Sequence, residues 1–203
     1  TRILRRNYRT TREIALAAAE ILVSGDPAAD KDDESLQQEY LHSGYRPVIF
    51  AADGAADQAR WLAGQIHQAA RDLHLPINAA AILVPSNSLG QNLAELIAEQ
   101  GLPVCFMSSQ DVNLDERCVK VMTLHAAKGL EFPIVAVAHV EADRLPKALD
   151  SAGEPDKREH MDQQQRLFFV GCTRAMRYLF VSHDRWLASP FLDQLSDDRW
   201  QRV

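Results

Sequence analysis

Three cysteines in 203 residues leave little room for thiol chemistry. Cys105, Cys118 and Cys172 have no metal-ligand spacing and are too few for a disulfide framework. Each lies in or beside an apolar run, so the expectation is small buried thiols in a reducing compartment, the cytoplasm. No apolar stretch approaches the roughly 18 residues of a membrane helix, and no signal peptide is visible. Excess positive charge is also missing. A net charge of −6 argues against a surface that grips nucleic acid by charge alone. A local basic groove stays open, because phosphate contacts need only a few well-placed donors. The chain further lacks G-x-S-x-G, a G-x-G-x-x-G after a strand, the full G-x-x-x-x-G-K-[ST] phosphate loop and a Cys/His metal set. These gaps leave little support for a small-molecule α/β enzyme.

What is there is ordinary in composition, 46% hydrophobic and 25% charged, and fits one domain with a sizeable core. Residues 14–23 are alanine-rich and helical in pattern, with Thr10 or Thr11 as N-cap. Residues 24–46 read as an exposed connection. Short apolar strands are expected at 47–52, 79–84, 104–107, 119–122, 133–138 and 178–182. Helices are expected at 55–73, 89–100, 162–175 and 190–195, and a Pro/Gly/charge-rich loop at 145–158. Strands alternating with helices indicate an α/β layer fold whose mostly parallel sheet is buried on both faces.

Three strings carry chemistry. In Asn7-Tyr8-Arg9-Thr10-Thr11, an aromatic beside an arginine at a helix entrance can stack on a base and reach a phosphate, although in isolation a solvated basic patch with Arg2, Arg5, Arg6 and Arg12 is the better explanation of the string. In Thr123-Leu124-His125-Ala126-Ala127-Lys128-Gly129-Leu130-Glu131-Phe132, polar residues sit at the seam between two buried strands. Gly129 permits a tight turn, Glu131 offers acceptors for sugar hydroxyls, and Thr123 and His125 offer donors to a nucleic-acid backbone. In the third string, Gln163 to Ala175, the residues Leu167, Val170, Gly171 and Arg174 follow helical spacing. Arg174 then falls on or beside a face that should be apolar, and needs an anionic partner there.

Together the three strings resemble motifs IV, V and VI of the UvrD/Rep/PcrA-like superfamily 1 DNA helicases, in family order. The resemblance implies a RecA-like three-layer αβα domain, P-loop NTPase-like but lacking its own Walker A sequence, that serves as the second of two motor domains. It implies that Tyr8 packs on adenine, that Arg9 and Arg174 reach the γ-phosphate as catalytic cations, and that Glu131, beside Gly129, binds ribose. Thr123 and His125 would face single-stranded DNA, as would Ser86 and Asn87. The cofactor would be ATP with Mg2+, whose ligands come from an N-terminal motor domain that this chain does not contain. Residues 1–203 would form one C-terminal motor domain: the motif IV segment and helix (1–23), the connection (24–46) and a RecA-like core (47–203). The implied activity is ATP-dependent 3′-to-5′ movement on single-stranded DNA, with the fragment inactive by itself. Only Ser108 to Arg117 stands where the family carries a large inserted subdomain. That shortening keeps a non-catalytic protein- or nucleic-acid-binding module as the alternative.

Overall fold

A computed structural model describes residues 6–7, 9–22, 39–40, 42–108, 113–149 and 153–203. Its strands are β1 (Arg6–Asn7), β2 (Glu39–Tyr40), β3 (Val48–Ala52), β4 (Ala80–Val84), β5 (Val104–Phe106), β6 (Val119–Thr123), β7 (Phe132–Val137), β8 (Ala175–Asp184) and β9 (Gln201–Arg202). The helices are α1 (Arg12–Glu20), α2 (Ala55–Asp72), α3 (Asn87–Glu99) and α4 (Glu154–Cys172), with single 3-10 turns at Ile77–Ala79 and Pro190–Leu192. β1 and β2 pair with each other. The remaining seven strands form one sheet in the order β5-β6-β4-β7-β8-β3-β9, with every pairing parallel.

The strand sequences explain the layers. Side chains alternate across a strand, and β4 sends Ala81 and Leu83 to one face and Ala80, Ile82 and Val84 to the other. The first face packs under α1 and α4 through Ile14, Ala18, Phe168 and Cys172. The second packs under α2 and α3 through Leu62, Ile66, Leu93 and Ile97. All eight of these side chains are fully buried, and each large one contributes about 1.5–3 kcal/mol. The result is the expected three-layer αβα domain. Thr11 is the N-cap of α1, accepting from Ile14 N at 3.4 Å.

Several expectations need correction. α4 begins at Glu154, inside the stretch expected to be a loop, because Pro155 in its first turn is compatible with a helix start. It ends at Cys172 rather than Ala175, so Arg174 lies beyond the helix and not on its apolar stripe. β8 is longer than expected and opens at Ala175. Cys105 and Cys118 are joined in a disulfide, and only Cys172 is a free buried thiol. The register puts Lys120 opposite Cys105, and Cys118, the residue just before β6, lies diagonally from Cys105 with Cα atoms 5.8 Å apart, within disulfide reach. Most of the expected 24–46 connection, and Tyr8, lie outside the described residues.

Candidate functional site

All strands of the main sheet run one way, so the sheet has one edge where its strands begin and an opposite edge where they end. Ser86 and His125 follow the C-terminal ends of β4 and β6, whereas Glu131 and Arg174 precede β7 and β8 at the opposite edge. β6 and β7 are separated by β4, so residues 124–131 must travel the length of the sheet between the two edges. Leu124 N first donates to Val84 O at the end of β4 (2.9 Å), and tight turns follow, with Ala127 N donating to Thr123 O (3.1 Å) and Leu130 N to Ala127 O (3.0 Å). Leu124 and Ala127 are fully buried against the sheet. Gly129 closes the run at φ +86°, a left-handed conformation strained for any residue with a Cβ.

At the N-terminal edge, three hydrogen bonds tie the segment before α1 to the start of β8. Thr10 Oγ1 donates to Ala175 O (2.9 Å), Thr11 N to Met176 O (3.2 Å) and an Arg177 Nη to Arg9 O (3.1 Å). Arg9 is thereby brought to Glu131, with which it forms an ion pair of 2.8 Å. Arg174 sits beside them, half-buried in the turn between α4 and β8. Its Nε donates to Val170 O (3.0 Å) and one Nη to Leu130 O (3.4 Å), capping carbonyls that α4 and the 124–131 connection leave open. Burial, and then the charge of Arg9, push Arg174 below the ordinary guanidinium range, while Glu131 pulls it back up. A guanidinium stays protonated under such pressure. Among the described residues, Arg9 and Arg174 thus both lie beside the carboxylate of Glu131, and the repulsion between the two guanidiniums is one that a further anion would relieve.

At the C-terminal edge, Ser86 is the N-cap of α3, accepting from Leu89 N at 3.5 Å, and Asn87 is the first residue of that helix. Thr123 Oγ1 accepts from Ala126 N (3.2 Å), so it shapes the turn that presents the exposed His125. Ser86 and His125 meet in a cavity of about 320 Å³, which Arg144, Lys147 and Gln164 also line. Asn87 and Thr123 adjoin the cavity in the chain without lining it.

A polar cluster behind this cavity was not expected from the sequence. Glu141 and His139 are almost fully buried, with Gln58 and Ser182 beside them. The available signal was an ionisable pair directly after the apolar run of β7. His139 and Asp143, both at positive φ, bend the chain there. Burial alone would push Glu141 upward. The His139 hydrogen bond and the His139 and Arg144 charges outweigh it and hold the carboxyl below its ordinary range.

Comparisons with known proteins bear on the family and the fold. The family model described as "UvrD-like helicase C-terminal domain" matches residues 3–112 and 107–185. DNA helicase II of Haemophilus influenzae is 36% identical over 98 residues, 43% of this chain and 13% of that protein. The ATP-dependent DNA helicase PcrA of Staphylococcus aureus is 39% identical over 70 residues, 34% of this chain and 9% of that protein. The chain thus spans a small part of the length of these relatives. In fold it is similar to the crystal structure of the C-terminal domain of a possible DNA helicase from Lactobacillus plantarum WCFS1, with a TM-score of 0.69 at 19% identity, covering 97% of this chain and 98% of that one. With the family model matching most of its residues, the chain belongs to the UvrD-like helicase C-terminal domain family.

Proposed function

We propose that this domain is the C-terminal motor half of an ATP-dependent 3′-to-5′ DNA helicase or translocase. It completes an ATP site whose phosphate loop and magnesium ligands come from a separate N-terminal motor domain. The observation that carries this reading is the meeting of Arg9 and Arg174 at one sheet edge, from opposite ends of the chain, with Glu131 between them. Two half-solvated guanidiniums side by side suit a terminal phosphoryl group. Such a group when bound supplies anionic charge to both guanidiniums at once. Glu131, once released from Arg9, has two oxygens to accept sugar hydroxyls, and Gly129 keeps the backbone close to that point. Tyr8, next to Arg9 in sequence, supplies an aromatic surface for a base.

At the other edge, Ser86, Asn87, Thr123 and His125 hold single-stranded DNA. Their donors suit phosphate and sugar contacts, which position a strand without reading its sequence. ATP binds the closed pair of motor domains better than the open pair, and that differential affinity drives the conformational cycle. To test the reading, the chain is joined to its N-terminal motor domain and DNA-stimulated ATP hydrolysis is measured. Arg174→Ala lowers turnover by about 10³-fold or more, the range for an arginine that stabilises phosphoryl transfer. Unchanged turnover in that variant would remove the phosphate role.

A further inference from the structure

Behind the wall of the cavity lies a carboxylate that is buried yet still charged. The Glu141 side chain is 2% exposed. Asp184 N donates to its Oε1 (3.1 Å), Gln58 Nε2 donates to the same oxygen (3.5 Å), and His139 Nδ1 lies 3.1 Å from it. Gln58 is itself fixed, its Oε1 accepting from His139 N (3.0 Å) and Ser182 Oγ (3.0 Å). The other oxygen, Oε2, lies 2.6 Å from an Nη of Arg144, an ion pair by distance rather than an aligned hydrogen bond. The same nitrogen is 3.1 Å from His139 Nδ1. Among the described residues, every side-chain contact of Arg144 thus passes through one nitrogen. Its other Nη and Nε remain as donors on a side chain that is 39% exposed and lines the cavity.

We propose that Arg144 is a phosphodiester-contacting residue of the single-strand site, and that Glu141 is the positioning residue that aims it. The proposal rests on the reading that a single strand lies along this edge. A long cationic side chain normally loses rotamer entropy when a ligand fixes it. Here the buried carboxylate has already fixed it, with part of the planar fork left for a phosphate oxygen pair. His125, Ser86, Lys147 and Gln164 surround the same space, and Asp143 is the one carboxylate on its lining. Asp143 disfavours a strand passing on its side and so steers phosphates toward Arg144 and Lys147.

The test measures binding of a fluorescent oligo(dT) to the full-length protein over a series of salt concentrations. Arg144→Gln lowers affinity roughly tenfold, as for a charged hydrogen bond, and makes the slope of log K against log salt shallower by about 0.7, one phosphate contact on a single strand. Arg144→Lys recovers the slope and part of the affinity. Glu141→Gln weakens binding in the native background and adds nothing in an Arg144→Met background, which separates positioning from a general loss of stability. If His125→Ala weakens binding while Arg144→Gln changes neither affinity nor slope, the Arg144 assignment is wrong and the strand site stands. If both variants bind as the native protein does, the strand site itself is wrong. Lower affinity with an unchanged slope makes Arg144 a structural residue only and overturns the proposal.

Discussion

The Arg9–Glu131 ion pair is too exposed to hold the fold together. With side chains 46% and 33% accessible, it belongs with the surface pairs that contribute about 0–1 kcal/mol. In the proposed ATP site, its use lies in what it withholds: the carboxylate holds Arg9 until a stronger anion arrives. Glu131→Gln is therefore expected to leave the thermal midpoint nearly unchanged. In the protein joined to its ATP-binding domain, the same change shifts KM for ATP, because it releases Arg9 and removes the acceptor for the sugar. A large loss of stability with KM unmoved would show that the pair is structural. The positions of these three residues were legible only as strings. Arg9, Glu131 and Arg174 stand out in sequence because charge interrupts apolar pattern, yet no spacing rule puts them in one place. The parallel sheet does that, by bringing the starts of β7 and β8 to the same edge. The sequence also pointed to Arg174 for a helical reason that does not hold. Its actual setting, a turn where Nε caps Val170 O, comes from the helix ending two residues earlier.

At the scale of elements, periodicity located the strands and helices whose faces are buried, and failed where faces are not. The first turns of α4 are exposed wherever their side chains are described, so no apolar stripe marked them. The Glu141 cluster was hidden for a related reason, since a buried charge looks like a loop residue until its partners are seen. The disulfide was invisible because it depends on the pairing of two parallel strands, with Cys105 and Cys118 separated by 13 positions in sequence. β5 is a three-residue edge strand hydrogen-bonded on one side only, to β6. The bridge staples that weak edge and closes a short loop, for which chain entropy gives a stabilisation of about 3 kcal/mol. Reduction is expected to lower the urea midpoint accordingly. Mass spectrometry after alkylation without reductant should find no label on Cys105 or Cys118, and reductant should add two labels. Cys172, whose thiol burial pushes far up, serves as the unreactive control in the native state. Full labelling before reduction would show that the bridge does not form.

Over the whole molecule, one short connection joins the two edges proposed to bind different ligands. Residues 124–131 begin at the cavity with His125 and end at the cationic edge with Glu131. Between them, Leu124 is wedged against α4 so tightly that a Cβ at Gly171 would collide with its Cδ2. A close-packed wedge of this kind shifts as a unit, because protein interiors have little free volume to absorb movement at one end. Binding at the two edges should therefore be linked, and linkage between equilibrium affinities is reciprocal. In the protein joined to its ATP-binding domain, oligo(dT) is expected to tighten binding of a non-hydrolysable ATP analogue by a factor within the usual range of about 5–150. The analogue should tighten oligo(dT) by the same factor. Leu124→Ala removes the wedge while touching neither ligand. It should bring both factors toward one and leave each separate affinity within about twofold, beside a stability loss of about 2–5 kcal/mol for a buried leucine truncation. Both affinities are measured at a temperature well below the variant's own midpoint, so that unfolding does not imitate uncoupling. If Leu124→Ala preserves the reciprocal factors, the two edges communicate by another route, and domain closure by the partner lobe becomes the carrier of the signal.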